Sequence, residues 1–194
     1  MQPTVPAPAP DGILAAGGQF TVAELCAMER DGVLARVFGQ AFRPVAEPET
    51  PAHRASALAH HVPAGLAERA VLGRGSAAWV FGCAPPPQTI CLLLDRARRT
   101  TMLPPRSGCE VHEVMLGPYD VERVGGVRVT RALRTAVDIA MHEPEATAAP
   151  LLLALAGAAD LGCPLGRINS AVAMARHIPG KRRAQALLRT LLEE

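Results

Sequence analysis

Aromatic residues are nearly missing from this sequence, at 3% of 194 positions, and lysine occurs once, at Lys181. A core must therefore be built from Leu, Val, Ile and Ala, and hydrophobic residues at 49% are enough for one. The near-absence of lysine, beside abundant Ala, Gly, Pro and Arg, fits a GC-rich coding sequence, so arginine content alone says little about nucleic acid. Charge is also sparse, at 20% of residues and a net +2. Affinity for a polyanion would have to come from a local patch, because counterion release scales with the phosphates contacted. No apolar run reaches the roughly 18 residues of a membrane helix. The longest, Ile90–Leu94 and Leu151–Ala156, have the size of single core elements. The first residues lack the basic-then-apolar order of a secretory signal, so a soluble, cytoplasmic protein is expected. The five cysteines (Cys26, Cys83, Cys91, Cys109, Cys163) are odd in number and none are in CxxC spacing. That argues against a disulfide scaffold and a zinc motif, and predicts small buried hydrophobes.

What is present divides the chain into three parts. Residues 1–11 read as a disordered Pro/Ala arm, which can make neither a helix nor a ladder. Residues 12–47 read as a compact module. Thr21 and Glu24 have capping-box spacing ahead of a helix that Gly32 ends. Residues 33–37 and 41–45 form a hairpin about Gly39-Gln40. Residues 48–194 read as a larger α/β domain. Thr50-Pro51 opens a helix, 76–81 is a second helix carrying Trp79, 89–94 is an interior strand, and 110–116 is another strand. Residues 120–124 read as a turn before a strand at 125–129. Thr130 is expected to cap a helix over 131–141. The last third is helical over 146–159, 164–177 and 180–194, the final helix carrying Ala184, Leu187, Leu188, Leu191 and Leu192 on one face. The expected class is α/β, in an α+β arrangement of N-terminal module, mixed sheet and helical C-terminal third.

Four stretches, in order, resemble the AbiEi-like antitoxins of bacterial type IV toxin–antitoxin systems. They are FTVAELCAMERDGVLARVFGQAF at 20–42, ETPAHRASAL at 49–58, VLGRGSAAWVFG at 71–82 and VGGVRVTRALRTAVDIA at 124–140. The resemblance implies that 12–47 is a winged helix-turn-helix-like module, and that 48–194 corresponds to the family's C-terminal domain. Phe42 stands where the family usually has Tyr. The helical part is compressed, with 11–16 the only candidate for a preceding helix. The function implied is a DNA-binding transcriptional regulator repressing its own operon. The alternatives are an antitoxin that neutralises a nucleotidyltransferase-like toxin by protein–protein contact, or a phage-type repressor.

Candidate contact residues follow. Thr21 at the helix start, Arg30 at its end, Arg36 and Arg43 on the hairpin arms and Gln40 at its tip could meet double-stranded DNA; the arginines serve equally as solvated charges. Arg96, Arg98 and Arg99 follow the apolar strand in a loop of the kind that grips phosphate. Lys181, Arg182, Arg183 and Arg189 lie on the polar face of the last helix, where the resemblance implies contact with a partner such as a cognate toxin. Arg134 and Asp138 are spaced to pair along one helix. No HExxH, GxSxG or GxGxxG pattern occurs, and neighbouring His112 and Glu113 would face opposite sides of a strand. A non-enzymatic protein without metal or cofactor is expected.

Overall fold

The structure is a computed structural model that describes residues 12–17, 19–96, 103–104, 106–175 and 179–193. The N-terminal arm, Arg98, Arg99 and His177 lie outside the described residues.

Leu14–Ala15 (β1), Val22–Arg30 (α1), Leu34–Phe38 (β2) and Ala41–Pro44 (β3) form the first unit. Its antiparallel sheet has the order β1-β3-β2, with Leu14 opposite Phe42 and Leu34 opposite Pro44. The capping box at Thr21 and Glu24 is complete. Leu25 reaches inward from α1 onto Leu14, Leu34 and Phe42, which form a small core of their own. The stretch 11–16, the candidate for a preceding helix, is not helical in its described residues: Leu14 and Ala15 are extended along β3. Gly12 and Gly17 bracket this stretch with φ of 73° and 97°. Between such breakers it is too short to nucleate a helix, whereas the edge of β3 offers ready ladder partners.

Pro51–Ala59 (α2), Val71–Leu72 (β4), Arg74–Val80 (α3), Ile90–Asp95 (β5), Cys109–Val114 (β6), Val121–Val124 (β7) and Val127–Thr130 (β8) follow. The five strands form a mixed sheet of order β6-β5-β4-β8-β7. β5 runs parallel to β6 and antiparallel to β4, and β4 runs parallel to β8. As its apolar run predicts, β5 is interior. Ile90, Leu92 and Leu94 face the core shared with Leu58 and Trp79, while Cys91 and Leu93 face Val71 on the other side. Residues 121–124 are a strand and not a turn. Gly125 and Gly126, at φ 56° and 84°, make the two-residue hairpin that lets β7 pair back on β8. Thr130 ends β8 and caps nothing. Its hydroxyl lies 2.7 Å from that of Thr135, and Arg131 is the residue that precedes the helix.

Ala132–His142 (α4), Glu145–Gly157 (α5), a 3-10 turn at Ala159–Leu161, Leu165–Met174 (α6) and Lys181–Glu193 (α7) complete the chain. They enclose a second core of Ile139, Leu152, Leu155, Ile168, Val172, Leu187 and Leu188. Leu192, expected on the core face of α7, is 47% exposed, because the helix turns it past the edge of the packed stripe. The whole is a mixed α+β fold. Among the described residues no single helix is long and apolar enough to cross a membrane.

The first sheet is also bound to the rest. Ile13, Val37 and Ala41 belong to the large core with Leu58 and Leu72. The Phe38 ring lies 5.5 Å from that of Trp79. The cysteines are less uniform than expected: Cys91 and Cys163 are buried, Cys83 and Cys109 half-buried, and Cys26 is exposed on α1. Burial pushes the Cys91 thiol up to about 12. Brief alkylation of the folded protein is therefore expected to mark Cys26 first and to leave Cys91 and Cys163 unmarked until denaturant is added. Peptide mass spectrometry reads the order, and early marking of Cys91 would contradict this packing.

Candidate functional site

The first unit was expected to present its arginines to a partner, and two of the three are engaged within the unit, Arg36 while still exposed and Arg43 half-buried. Arg36 donates from Nε to Glu29 Oε1 at 3.0 Å, from Nη2 to Glu29 Oε2 at 2.5 Å, and from Nη1 to the Gly39 carbonyl at 2.5 Å. It also lies over the Phe42 ring, 4.5 Å from the centroid. The side chain thus ties α1 to the hairpin and covers the small core. The hydrogen bond to Arg36 pulls the Glu29 carboxyl below its ordinary value. Arg43 donates to the Pro44 carbonyl at 3.0 Å and to the Glu47 carbonyl, closing the exit from β3. Thr21 is occupied by its capping box, with the Glu24 carboxylate 2.8 Å from both its amide nitrogen and its hydroxyl. Two polar side chains of the unit are less committed. Arg30 lies 4.0 Å from Asp31 with its side chain 81% exposed, and Gln40 stands exposed at the hairpin tip. Between them runs the outward side of α1, where Ala23 and Cys26 are exposed and small. Leu25 is the one buried residue of this helix.

The basic face of α7 is likewise partly committed. Lys181 donates to the Ala173 and Ala175 carbonyls at 2.6 and 2.7 Å, capping α6. Arg183 donates to the Met141 and Glu143 carbonyls at 2.9 and 3.0 Å, capping α4. Arg189 reaches the Gln185 carbonyl of its own helix at 3.3 Å. Arg182 is exposed, as is Arg96 at the end of β5. Of the second set, Arg96, Arg98 and Arg99, only Arg96 lies among the described residues. Arg36, Arg43, Lys181 and Arg183 satisfy carbonyls at helix ends and turns, groups that regular structure leaves unpaired.

Two groupings were not foreseen in this form. Arg134 and Asp138 do pair, at 2.8 Å, but Arg134 also bonds Asp120 at 2.6 Å and the Met115 carbonyl at 3.1 Å. Asp120 in turn accepts from the Gly117 amide at 2.8 Å. This pins the turn between β6 and β7, on which Met115 and Tyr119 are 78% and 81% exposed. Burial pushes the Asp138 carboxyl up, and the Arg134 guanidinium pulls against it. The second grouping centres on Arg74, which holds a left-handed φ of 47° at the start of α3. Its Nη1 lies 3.2 Å from His112 Nε2 and 3.9 Å from Glu143 Oε1, and its Nε is buried without a hydrogen-bond partner among the described residues. Such strain in a non-glycine residue persists only where surrounding structure holds it.

No protein-family model matches the chain, and no curated protein matches it. Among solved structures, it is similar to the Rv2827c protein from Mycobacterium tuberculosis, at 20% identity and a TM-score of 0.46. That similarity covers 89% of this chain and 66% of the Mycobacterium tuberculosis protein, so this chain spans a little under two thirds of its length.

Proposed function

We propose that this protein is a DNA-binding transcriptional regulator of the kind its resemblance to AbiEi-like antitoxins implies, and that it represses its own operon. One observation carries the reading. α1 is anchored in the core by one fully buried residue, Leu25, with Met28 packed half-buried beside it, and it lies in the chain between β1 and β2 of a β1-β3-β2 sheet, beside a tight hairpin. A winged module has this order, its exposed helix entering the major groove and its hairpin lying along the backbone. Ala23 and Cys26 are small enough to let the helix approach base edges closely. Arg30 and Gln40 supply the polar reach, and Arg36 and Arg43 hold the frame.

The test is a gel-shift titration against the gene's own upstream DNA, at ~50 and ~200 mM salt, with unrelated duplex as competitor. Specific, salt-sensitive binding is the expected result. Arg30→Ala should weaken it and lower the slope of log affinity against log salt by about 0.9, the value of one lost phosphate contact. Binding lost equally to competitor would remove the regulator reading.

A second reading has its own observation. Residues 12–47 hold four carboxylates against three guanidiniums, two of which are engaged internally. That balance suits a polyanion poorly, whereas Tyr119 and Met115 on their pinned turn offer the aromatic and apolar anchors of a protein interface. Under this reading the chain neutralises a nucleotidyltransferase-like toxin by direct contact. Co-purification with the product of a neighbouring toxin gene, lost in Tyr119→Ser, would favour it.

A further inference from the structure

The parallel register of β5 and β6 sets Cys91 directly beside Glu110. Both side chains leave the same face of the sheet, and His112, two residues further along β6, joins them. One donor atom from each, a thiol sulfur, a carboxylate oxygen and an imidazole nitrogen, lies within 4.8 Å of the other two. We propose that Cys91, Glu110 and His112 form a binding site for a divalent transition-metal ion of the zinc class.

The donor set is the first argument. Thiolate, imidazole and carboxylate together are the ligands zinc takes, with bonds of about 2.0–2.3 Å. A tetrahedral ion with such bonds holds its ligand atoms about 3.3–3.8 Å apart. The three donor atoms, within 4.8 Å of one another, thus need a contraction of about 1 Å. Three protein ligands leave a fourth position to solvent, on the side of half-exposed Glu110.

The second argument is independent and concerns His112. Its Nε2 lies 3.2 Å from Arg74 Nη1, which can only donate, and 3.3 Å from Glu110 Oε1, which can only accept. Neutral at Nε2, the ring satisfies Arg74 and turns a lone pair toward the carboxylate. Protonated there, it satisfies Glu110 and opposes the guanidinium. Neither state suits both neighbours. A cation between Nε2 and Oε1 resolves the conflict, with Arg74 moving toward Glu143, already 3.9 Å away. On binding, the ion takes the place of the Cys91 thiol proton, which is released to solvent, so affinity falls as pH is lowered.

The experiment is a titration of the full chain with cobalt(II), read by the thiolate-to-cobalt charge-transfer band, followed by zinc(II) competition against a chromophoric chelator. One equivalent of cobalt should produce the band, and zinc should displace it. Cys91→Ser should abolish the band and Cys26→Ser should leave it unchanged. Glu110→Gln and His112→Ala should each weaken zinc at least about tenfold, a loss that even outer-shell partners produce. Since Cys91 is buried and its serine variant could fail to fold, the exposed Glu110→Gln keeps the test decisive. The proposal is overturned if no thiolate band forms, if the band depends on Cys26, or if Glu110→Gln and His112→Ala both leave the affinity intact.

Discussion

Arg134→Ala is expected to cost about 3–5 kcal/mol of stability, the usual result of removing one partner from a buried ion pair. The arginine holds three acceptors, Asp120, Asp138 and the Met115 carbonyl. Asp138 is 8% exposed, so without Arg134 it is left charged and buried. For a chain of this size the thermal midpoint should fall by roughly 10 °C. Arg134→Lys should recover only part of the loss, because one ammonium cannot reproduce a fork of donors aimed at two carboxylates. The pH dependence follows from Asp138, whose carboxyl is pushed above its ordinary value near 3.8 in the folded state. A group shifted in that direction contributes stability that is complete below the ordinary value and is lost as pH rises through the folded one. Removing Arg134 pushes the carboxyl further up. The penalty should therefore be largest at neutral pH and shrink as acid protonates Asp138. Thermal melts from acid to neutral pH check this, and a shift below about 2 °C at neutral pH would show that the pair matters little.

Gly180→Ala should lose about 2–4 kcal/mol for a different reason. Gly180 has a φ of +87°, and a Cβ built there would run into the carbonyl oxygen of Met141. The left-handed backbone costs an alanine about 1–2 kcal/mol. The clash is with backbone at the end of α4 and cannot be relieved by turning a side chain, so α7 must shift. That shift disturbs Ala184, Leu187, Leu188 and Leu191, all buried, and loosens the Arg183 cap on Met141. Gly75→Ala provides the contrast. Nothing lies within 4 Å of a Cβ there, and the residue is inside α3, so a gain of about 0.5–1 kcal/mol is expected. Urea unfolding of the two variants should move in opposite directions.

The elements that could be read from sequence were those whose cause is local. Thr21 with Glu24, and Thr50 with Pro51, mark helix starts through chemistry contained within one turn. The apolar run of β5 and the Gly39-Gln40 turn likewise carry their own signals. Val121–Val124 was misread because its alternation is short and charged, and its partner strand settles its state. The internal bonds of the candidate contact residues were hidden for a related reason. An arginine beside a hairpin looks the same in sequence whether it faces solvent or a carbonyl across the fold, and Arg36, Arg43, Lys181 and Arg183 all found carbonyls. The Cys91, Glu110 and His112 group could not be seen at all. Glu110 and His112 share a face by period two, but Cys91 joins them only through a parallel pairing that the sequence does not declare.

The division of the chain between two sheets sets an order on its synthesis. Among the described residues the strands around α1 pair with one another, Leu14 with Phe42 and Leu34 with Pro44, so every ladder partner of that unit has been made once residue 44 has left the ribosome. The larger sheet must wait, because Val71–Leu72 is held between β5 and β8 and the Leu72–Val129 pairing needs a segment made much later. Through that interval Ile13, Val37 and Ala41 have no Leu58 or Trp79 to cover them. The first unit can therefore reach its final packing only when the larger sheet arrives, and translation across residues 45–130 sets how long its apolar side waits uncovered.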